Sequence, residues 1–351
     1  MATYAIWNNK GGVGKSYLTF QIACEYARTH QSQRVLVVDL CPQANSSGML
    51  LGGIEAGERA LENLSGQTPR RTISGYIEDR IRSPYVNPHT GSTYVTLVRS
   101  INQAVPGNLF LVTGDEQLEI QASRVVAATN PGPTDAWRIV HTWINDLIED
   151  IQQSWDTADV TVFIDCNPSF TIYTELAMSA ADRLIIPFSA DGSSRRAVRA
   201  VLALIYGITR QAGAQQSQFY LSSQQYRLPL PRIYCYVGNR MTQYLTSAGA
   251  FKAVVTEIGD EIWAVWQSSP NVFYVHPPGA QTPSRRRDFV QMFQFEVPDA
   301  NTASVVSSSL GIPIVGLSAG QKHVAGRNVM VNQSQLDRQQ PTIQLLVSAI
   351  E

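Results

Sequence analysis

Two hydrophobic rhythms alternate along the chain. Short, continuous apolar runs such as "TYAIWN" (3–8), "RVLVVDL" (34–40) and "VTVFIDC" (160–166) suit strands buried on both faces of a parallel sheet. "NLFLVT" (108–113), "RLIIPF" (183–188), "RIYCYV" (232–237) and "IPIVGL" (312–317) read the same way. Between them the spacing turns helical: "KSYLTFQIACEYARTH" (15–30) sets Leu18, Ile22, Ala23 and Tyr26 on one face. Helices are also predicted over 135–155, 195–213 and 340–350. Strands alternating with helices predict a three-layer α/β fold with a mostly parallel sheet.

Three stretches break the rhythm. Residues 52–107 include the turn-rich "SPYVNPHTGSTY", residues 211–230 are rich in Gln and Ser, and residues 268–310 carry five prolines and Arg285-Arg286-Arg287. They read as insertions on a single domain spanning 1–351, without internal repeats.

Composition narrows the picture little. The 351 residues are 44% apolar and 16% charged, with a net charge of −1. No global positive field favours nucleic acid, so such a role needs a local patch. Cys24, Cys41, Cys166 and Cys235 are far apart with no C-x-x-C pair, which argues against a disulfide framework or a zinc site and suits a reducing cytoplasm. No apolar run approaches the roughly 18 residues of a membrane span, and "MATYAIWNN" does not read as a signal peptide. The expectation is an intracellular protein that does not engage a membrane.

The chemistry concentrates in "NNKGGVGKSYLTF" (8–20), a glycine-rich turn between a strand and a helix. Glycines let successive N–H groups converge on phosphate oxygens, and the helix start adds partial positive charge. Lys15 is placed to reach the β- and γ-phosphates, and the Ser16 hydroxyl to ligate Mg²⁺. The ordinary G-x-x-x-x-G-K-[ST] pattern is not met, because Asn9 takes the first glycine position. Gly11 and Gly12 supply the bend instead, preceded by a second lysine, Lys10.

This K-G-G-x-G-K-[ST] loop resembles the deviant Walker A motif of the ParA/MinD family of dimeric ATPases. The resemblance implies a P-loop NTPase fold that binds ATP and Mg²⁺ through Lys10, Gly11, Gly12, Val13, Gly14, Lys15, Ser16 and Tyr17. It also implies that Lys10 crosses a homodimer interface to the partner's nucleotide, so that two monomers sandwich two ATP molecules. "VLVVDLCPQANSS" (35–47) is similar to the family's second segment through Asp39, Pro42, Gln43 and Asn45. Asp39 belongs at the switch beside the metal. Where the family has a second Asp that orients the attacking water, this chain has Cys41. A thiol is a weak acceptor and is mostly neutral at pH 7. Turnover should therefore be slow or dependent on a partner. Either Asp39 or a carboxylate from an insertion takes over the water, or a docking protein supplies the missing group.

"VTVFIDCNPSF" (160–170) resembles the family's third segment, with Asp165 in the Walker B role toward Mg²⁺ and Asn167 replacing a proline. Asn239, in "YVGNRM" (236–241), is similar to the residue that meets the adenine edge, and the preference for ATP comes from the resemblance alone. Partition members of the family bind DNA non-specifically through basic residues. The candidates here are Arg195, Arg196, Arg199, Arg285, Arg286 and Arg287, with Arg70-Arg71 as a further pair. The resemblance implies a cytoplasmic switch that positions or segregates a cargo such as a plasmid, with a protein partner or adaptor. The competing expectation is a nucleotide-gated structural subunit deficient in hydrolysis.

Overall fold

A computed structural model of the chain describes residues 2–351 other than 131, 158, 190, 211–212 and 242–247. The elements run β1 (Ala2–Ile6), α1 (Lys15–Thr29), β2 (Arg34–Leu40), α2 (Asn45–Leu50), α3 (Gly53–Ser65) and α4 (Ile73–Arg82). Then come β3 (Thr96–Leu97), β4 (Leu109–Val112), α5 (Gln117–Ala128), α6 (Ala136–His141), α7 (Trp143–Ser154), β5 (Val160–Cys166), α8 (Ile172–Ala180) and β6 (Arg183–Phe188). The rest is α9 (Ser194–Tyr206), α10 (Gln218–Gln225), β7 (Arg232–Met241), α11 (Ala248–Ser268), α12 (Arg286–Phe293), β8 (Gln294–Pro298), α13 (Thr302–Leu310), a β9 (Gly320–Val324)/β10 (Arg327–Val331) hairpin and α14 (Gln333–Ser348).

Eight strands form one sheet in the order β3-β4-β2-β5-β1-β6-β7-β8, parallel except for β3, which runs antiparallel to β4. Alternate residues feed opposite cores. Leu36, Val38, Val162 and Ile164 pack on one side; Val35, Val37 and Phe163 pack on the other. Full burial on both faces is why these strands read as unbroken apolar runs. The chain passes from β1 out to β2 and later returns to place β5 between them, with β6 on the far side of β1. The crevice at such a reversal, beyond the strands' C-terminal ends, is where open α/β sheets bind ligands.

The mostly parallel α/β expectation holds, with local corrections. "IPIVGL" forms a single 3-10 turn at Ile314–Gly316 rather than a strand. Its Ile314 amide donates to Gln21 Oε1 at 2.7 Å, so the turn is buried against α1 without sheet pairing. The 135–155 helix divides at Thr142 into α6 and α7. The 195–213 helix stops at Tyr206, where Gly207 takes φ 65 as a left-handed cap; residues 211 and 212 lie outside the described residues. The last helix begins seven positions before residue 340, on an Asn332–Gln335 capping box. The irregular stretches are also more structured than their composition suggests: 52–107 holds α3, α4 and β3, and 268–310 holds α12, the edge strand β8 and α13.

Candidate nucleotide site

The loop between β1 and α1 has the backbone of a phosphate cradle. Gly12 and Gly14 take φ 75 and 77, a region that a Cβ disfavours. Gly14 caps α1 without a side-chain bond, leaving first-turn N–H groups for a ligand. A Cβ at Gly11 or Gly12 would meet nothing within 4 Å, so open space lies in front of them. Lys15, 6% exposed, donates from Nζ to the carbonyls of Lys10 at 2.8 Å and Asn8 at 3.3 Å. Burial lowers its pKa, while the Asp165 carboxylate works the other way. Both partners are the loop's own carbonyls, so the ammonium is held at the loop with no carboxylate bonded to it among the described residues.

Behind the loop, β2 and β5 bring two carboxylates side by side. Asp39 is the register partner of Asp165, and both are fully buried. Asp39 accepts from Cys41 N (3.0 Å), Ser46 Oγ (2.8 Å), Ser47 N (3.1 Å) and Ser47 Oγ (2.7 Å). Asp165 is poorly served: Thr19 Oγ1 lies 3.5 Å from Oδ1, and Oδ2 has no partner. Burial and then the Asp39 charge push Asp165 up to about 7, against the Ser16 and Ser46 hydroxyls and Lys15. Burial raises Asp39 as well, against its four donors. The pair therefore resists carrying two charges, and Asp165 is the member that takes up a proton more readily toward neutral pH. An orphaned buried carboxylate oxygen beside the Ser16 hydroxyl fits a divalent cation. Among the described residues no group of three or more His, Cys, Asp or Glu side chains is placed to hold a metal. A cation here would draw on Ser16, on the two carboxylates and on the ligand's own oxygens.

Cys41 lies at the mouth of this pair. Its thiol, 4% exposed, is pushed up to about 12 by burial and then by the charges of Asp39 and Asp165. It is a neutral group at any ordinary pH. A cleft of about 540 Å³ joins Gly11, Gly12, Lys15, Ser16 and Tyr17 to Cys41, Gln43 and Asn45, with Glu58 of α3 on its wall.

A family model described as an AAA domain matches residues 1–217. The chain belongs to this family, as a ParA/MinD-like P-loop ATPase. Two curated relatives from Pseudomonas putida, an uncharacterized protein and an uncharacterized protein in the gidB 3′ region, are each 26% identical over 192 residues. That stretch is 54% of this chain and 56% of theirs, so the chain spans about half the length of the curated relatives it matches. Among solved structures, apo McdA of Cyanothece is 16% identical, covers 89% of this chain and 91% of its own, and has a TM-score of 0.57. An ATP complex of a Cyanothece McdA variant is 16% identical and covers 90% and 89%, with a TM-score of 0.56. At that identity the likeness concerns the fold.

Within this ParA/MinD-like frame, two residues stand where the sequence alone did not put them. Lys10 folds back onto its own chain: Nζ pairs with Asp191 and donates to Ser189 Oγ (3.1 Å) and Ser194 Oγ (3.2 Å). Burial would raise Asp191, but Lys10, Ser189 and Ser193 outweigh it and hold the carboxyl well below the usual range. Asn239, also fully buried, commits its amide nitrogen to the loop carbonyls Val13 O (2.9 Å) and Gly14 O (3.2 Å). It braces the phosphate loop from β7 through that nitrogen. Tyr17 turns its hydroxyl to Gln339 Oε1 of α14 at 2.7 Å.

The arginines divide into two groups. Arg195, Arg199 and Arg210 converge on Glu261, Arg195 also meets Glu257, and Arg286 meets Asp260 at 2.6 Å. Arg70 is bound by Asp115, while Arg71 donates to backbone carbonyls. Arg196, Arg285 and Arg287 are exposed and make no ion pair among the described residues. Sequence reasoning missed Ser46 and Ser47, which hold Asp39, as well as Asp191 and Glu58. A run of hydroxyls seven and eight positions after Asp39 could have signalled the first two. The others depend on tertiary placement.

Proposed function

We propose that this ParA/MinD-like protein is an ATP-binding switch that dimerises around Mg²⁺-ATP and positions or segregates a cargo such as a plasmid. One arrangement carries the reading: a left-handed glycine cradle and buried Lys15, backed by adjacent Asp39 and Asp165. Cradle N–H groups and Lys15 bind the phosphates; Ser16, Asp165 and Asp39 hold Mg²⁺, which when bound neutralises charge on the phosphate oxygens. Tyr17 follows Ser16 in the binding segment, and Asn239 acts by holding the loop. Lys10 leaves Asp191 and crosses to the partner's nucleotide in a homodimer. The cytoplasm is the compartment this reading requires, and no described helix is long and apolar enough to cross a membrane.

Non-specific DNA binding, if it belongs to the cargo system, rests first on Arg196, Arg285 and Arg287. Arg195, Arg199, Arg286 and Arg70 must first give up acidic partners on their own chain. A protein adaptor is the remaining partner this reading names.

A second reading is favoured by Cys41. A thiol that stays neutral cannot orient water as a carboxylate does, and loss of such a group typically costs about 10²–10⁴ in rate. The protein would then be a nucleotide-gated structural subunit that pairs on ATP and hydrolyses it little. Light scattering with no nucleotide, ADP and ATP, run beside phosphate release, tests both. ATP-specific dimers with turnover and salt-sensitive DNA retardation support the switch; stable ATP dimers without turnover support the subunit. ATP that leaves the mass unchanged removes the trans role of Lys10 from both.

A further inference from the structure

The acid missing at position 41 has a counterpart elsewhere in the cleft. Among the described residues lining it, Glu58 is the sole carboxylate, facing the same space as Gly11, Gly12, Lys15, Ser16 and Cys41. Asp39 cannot readily serve, because its oxygens already take four bonds and it is fully buried. Glu58 is exposed and has no hydrogen bond or ion pair among the described residues.

Its placement is rigid where it matters. A Cβ on Gly57 would sit 2.3 Å from Gly48 O of α2, and one on Gly53 would sit 2.1 Å from Ser309 O of α13. These glycines let α3 lie directly on the backbones of α2 and α13. Ile54 and Glu58, four apart on one helical face, are thereby turned to the cleft.

We propose that Glu58 is the catalytic carboxylate of ATP hydrolysis, orienting the attacking water in the role that a thiol at position 41 leaves open. This rests on the nucleotide reading above. The water oxygen bonds to the γ-phosphorus as the bond from that phosphorus to the β,γ-bridging oxygen breaks, its electron pair leaving with ADP. One water proton passes to the Glu58 carboxylate and from there to solvent, and the products are ADP and inorganic phosphate.

The test compares wild type, Glu58→Gln, Cys41→Asp and the double variant, measuring phosphate release at saturating Mg²⁺-ATP and affinity for a fluorescent ATP analogue. Glu58→Gln is expected to lower kcat by about 10²-fold while analogue affinity stays within about twofold. Cys41→Asp in the Glu58→Gln background is expected to restore turnover, which a merely structural role for Glu58 does not predict. The proposal is overturned if Glu58→Gln keeps wild-type turnover, if its loss lies wholly in affinity, or if wild type binds the analogue without any turnover. A wild type that does not bind the analogue at all overturns the nucleotide reading itself, so the two failures are told apart.

Discussion

Charge is buried at both ends of the parallel sheet, but in opposite ways. At the N-terminal end, Arg183 of β6 is wrapped by its own chain. It donates to Tyr4 Oη (2.5 Å) and Tyr274 Oη (2.8 Å), pairs with Glu351 at 3.0 Å, and lies over the Tyr274 ring at 4.2 Å. At the C-terminal end, two acidic side chains, Asp39 and Asp165, sit in register, with no cation bonded to either among the described residues. Opposite charges closed on themselves build a stable core. Two buried acids left open resist ionising together unless something from outside completes them. The same fold thus separates stability from function by placing them at opposite ends of one parallel sheet.

The comparison is broken most sharply by removing Arg183. Arg183 is nearly buried and Glu351 about one-fifth exposed; truncating one member of a fully buried pair costs about 3–5 kcal/mol, which is the ceiling here. Arg183→Ala should lower the unfolding free energy from urea titration by up to that amount while leaving nucleotide affinity of the surviving folded protein unchanged. Equal losses in both quantities would mean that the two ends are not independent.

Asp165→Asn should act in the reverse sense. The carboxyl is raised from 3.8 to about 7 in the folded protein. Its contribution to stability is therefore complete below the unfolded pKa near 4 and is lost as pH rises through about 7. At about 1.4 kcal/mol per pKa unit the ceiling is about 4 kcal/mol. Without nucleotide or metal, wild type should lose thermal stability relative to the Asn variant between pH 4 and pH 7, a difference from which the opposite contribution of buried His276 cancels. The Asn variant should lose less and be the more stable of the two at neutral pH. It should also lose the Mg²⁺ dependence of nucleotide binding. A difference between wild type and variant that stays constant over this pH window would contradict the raised pKa of Asp165.

How much of this division was visible beforehand follows from where each signal resides. β2 and β5 were legible because burial on both faces leaves an unbroken apolar run. "IPIVGL" has the same composition yet forms a buried turn, because Gln21 satisfies the backbone that a neighbouring strand would otherwise pair. The edge strand β8 was missed, since only part of it is buried and polar Gln294 and Glu296 interrupt it. In the site, Lys15, Ser16 and the glycines follow from local spacing, and Asp39 and Asp165 from the strand ends. The destination of Asn239's donors, the cis partner of Lys10 and the cleft position of Glu58 arise from segments distant in sequence. No local pattern encodes them.

The smallest effect concerns the link between the closed chain and the open site. Asp191 is about half exposed and Lys10 22% exposed, so their pair is partly open to solvent, worth about 1 kcal/mol or less. In the monomer that energy holds Lys10 away from any neighbour. Asp191→Asn removes the charge that Lys10 must leave before it can cross to a partner. Two such pairs must open in each dimer, so ATP-dependent dimerisation should tighten by up to about thirtyfold, the factor that about 2 kcal/mol supplies, with no change in monomer unfolding beyond the energy of one pair. The gain should shrink as salt is raised, because a partly exposed ion pair is screened. If dimerisation instead weakens, Asp191 belongs to the dimer contact itself, and Lys10 keeps its partner when it crosses.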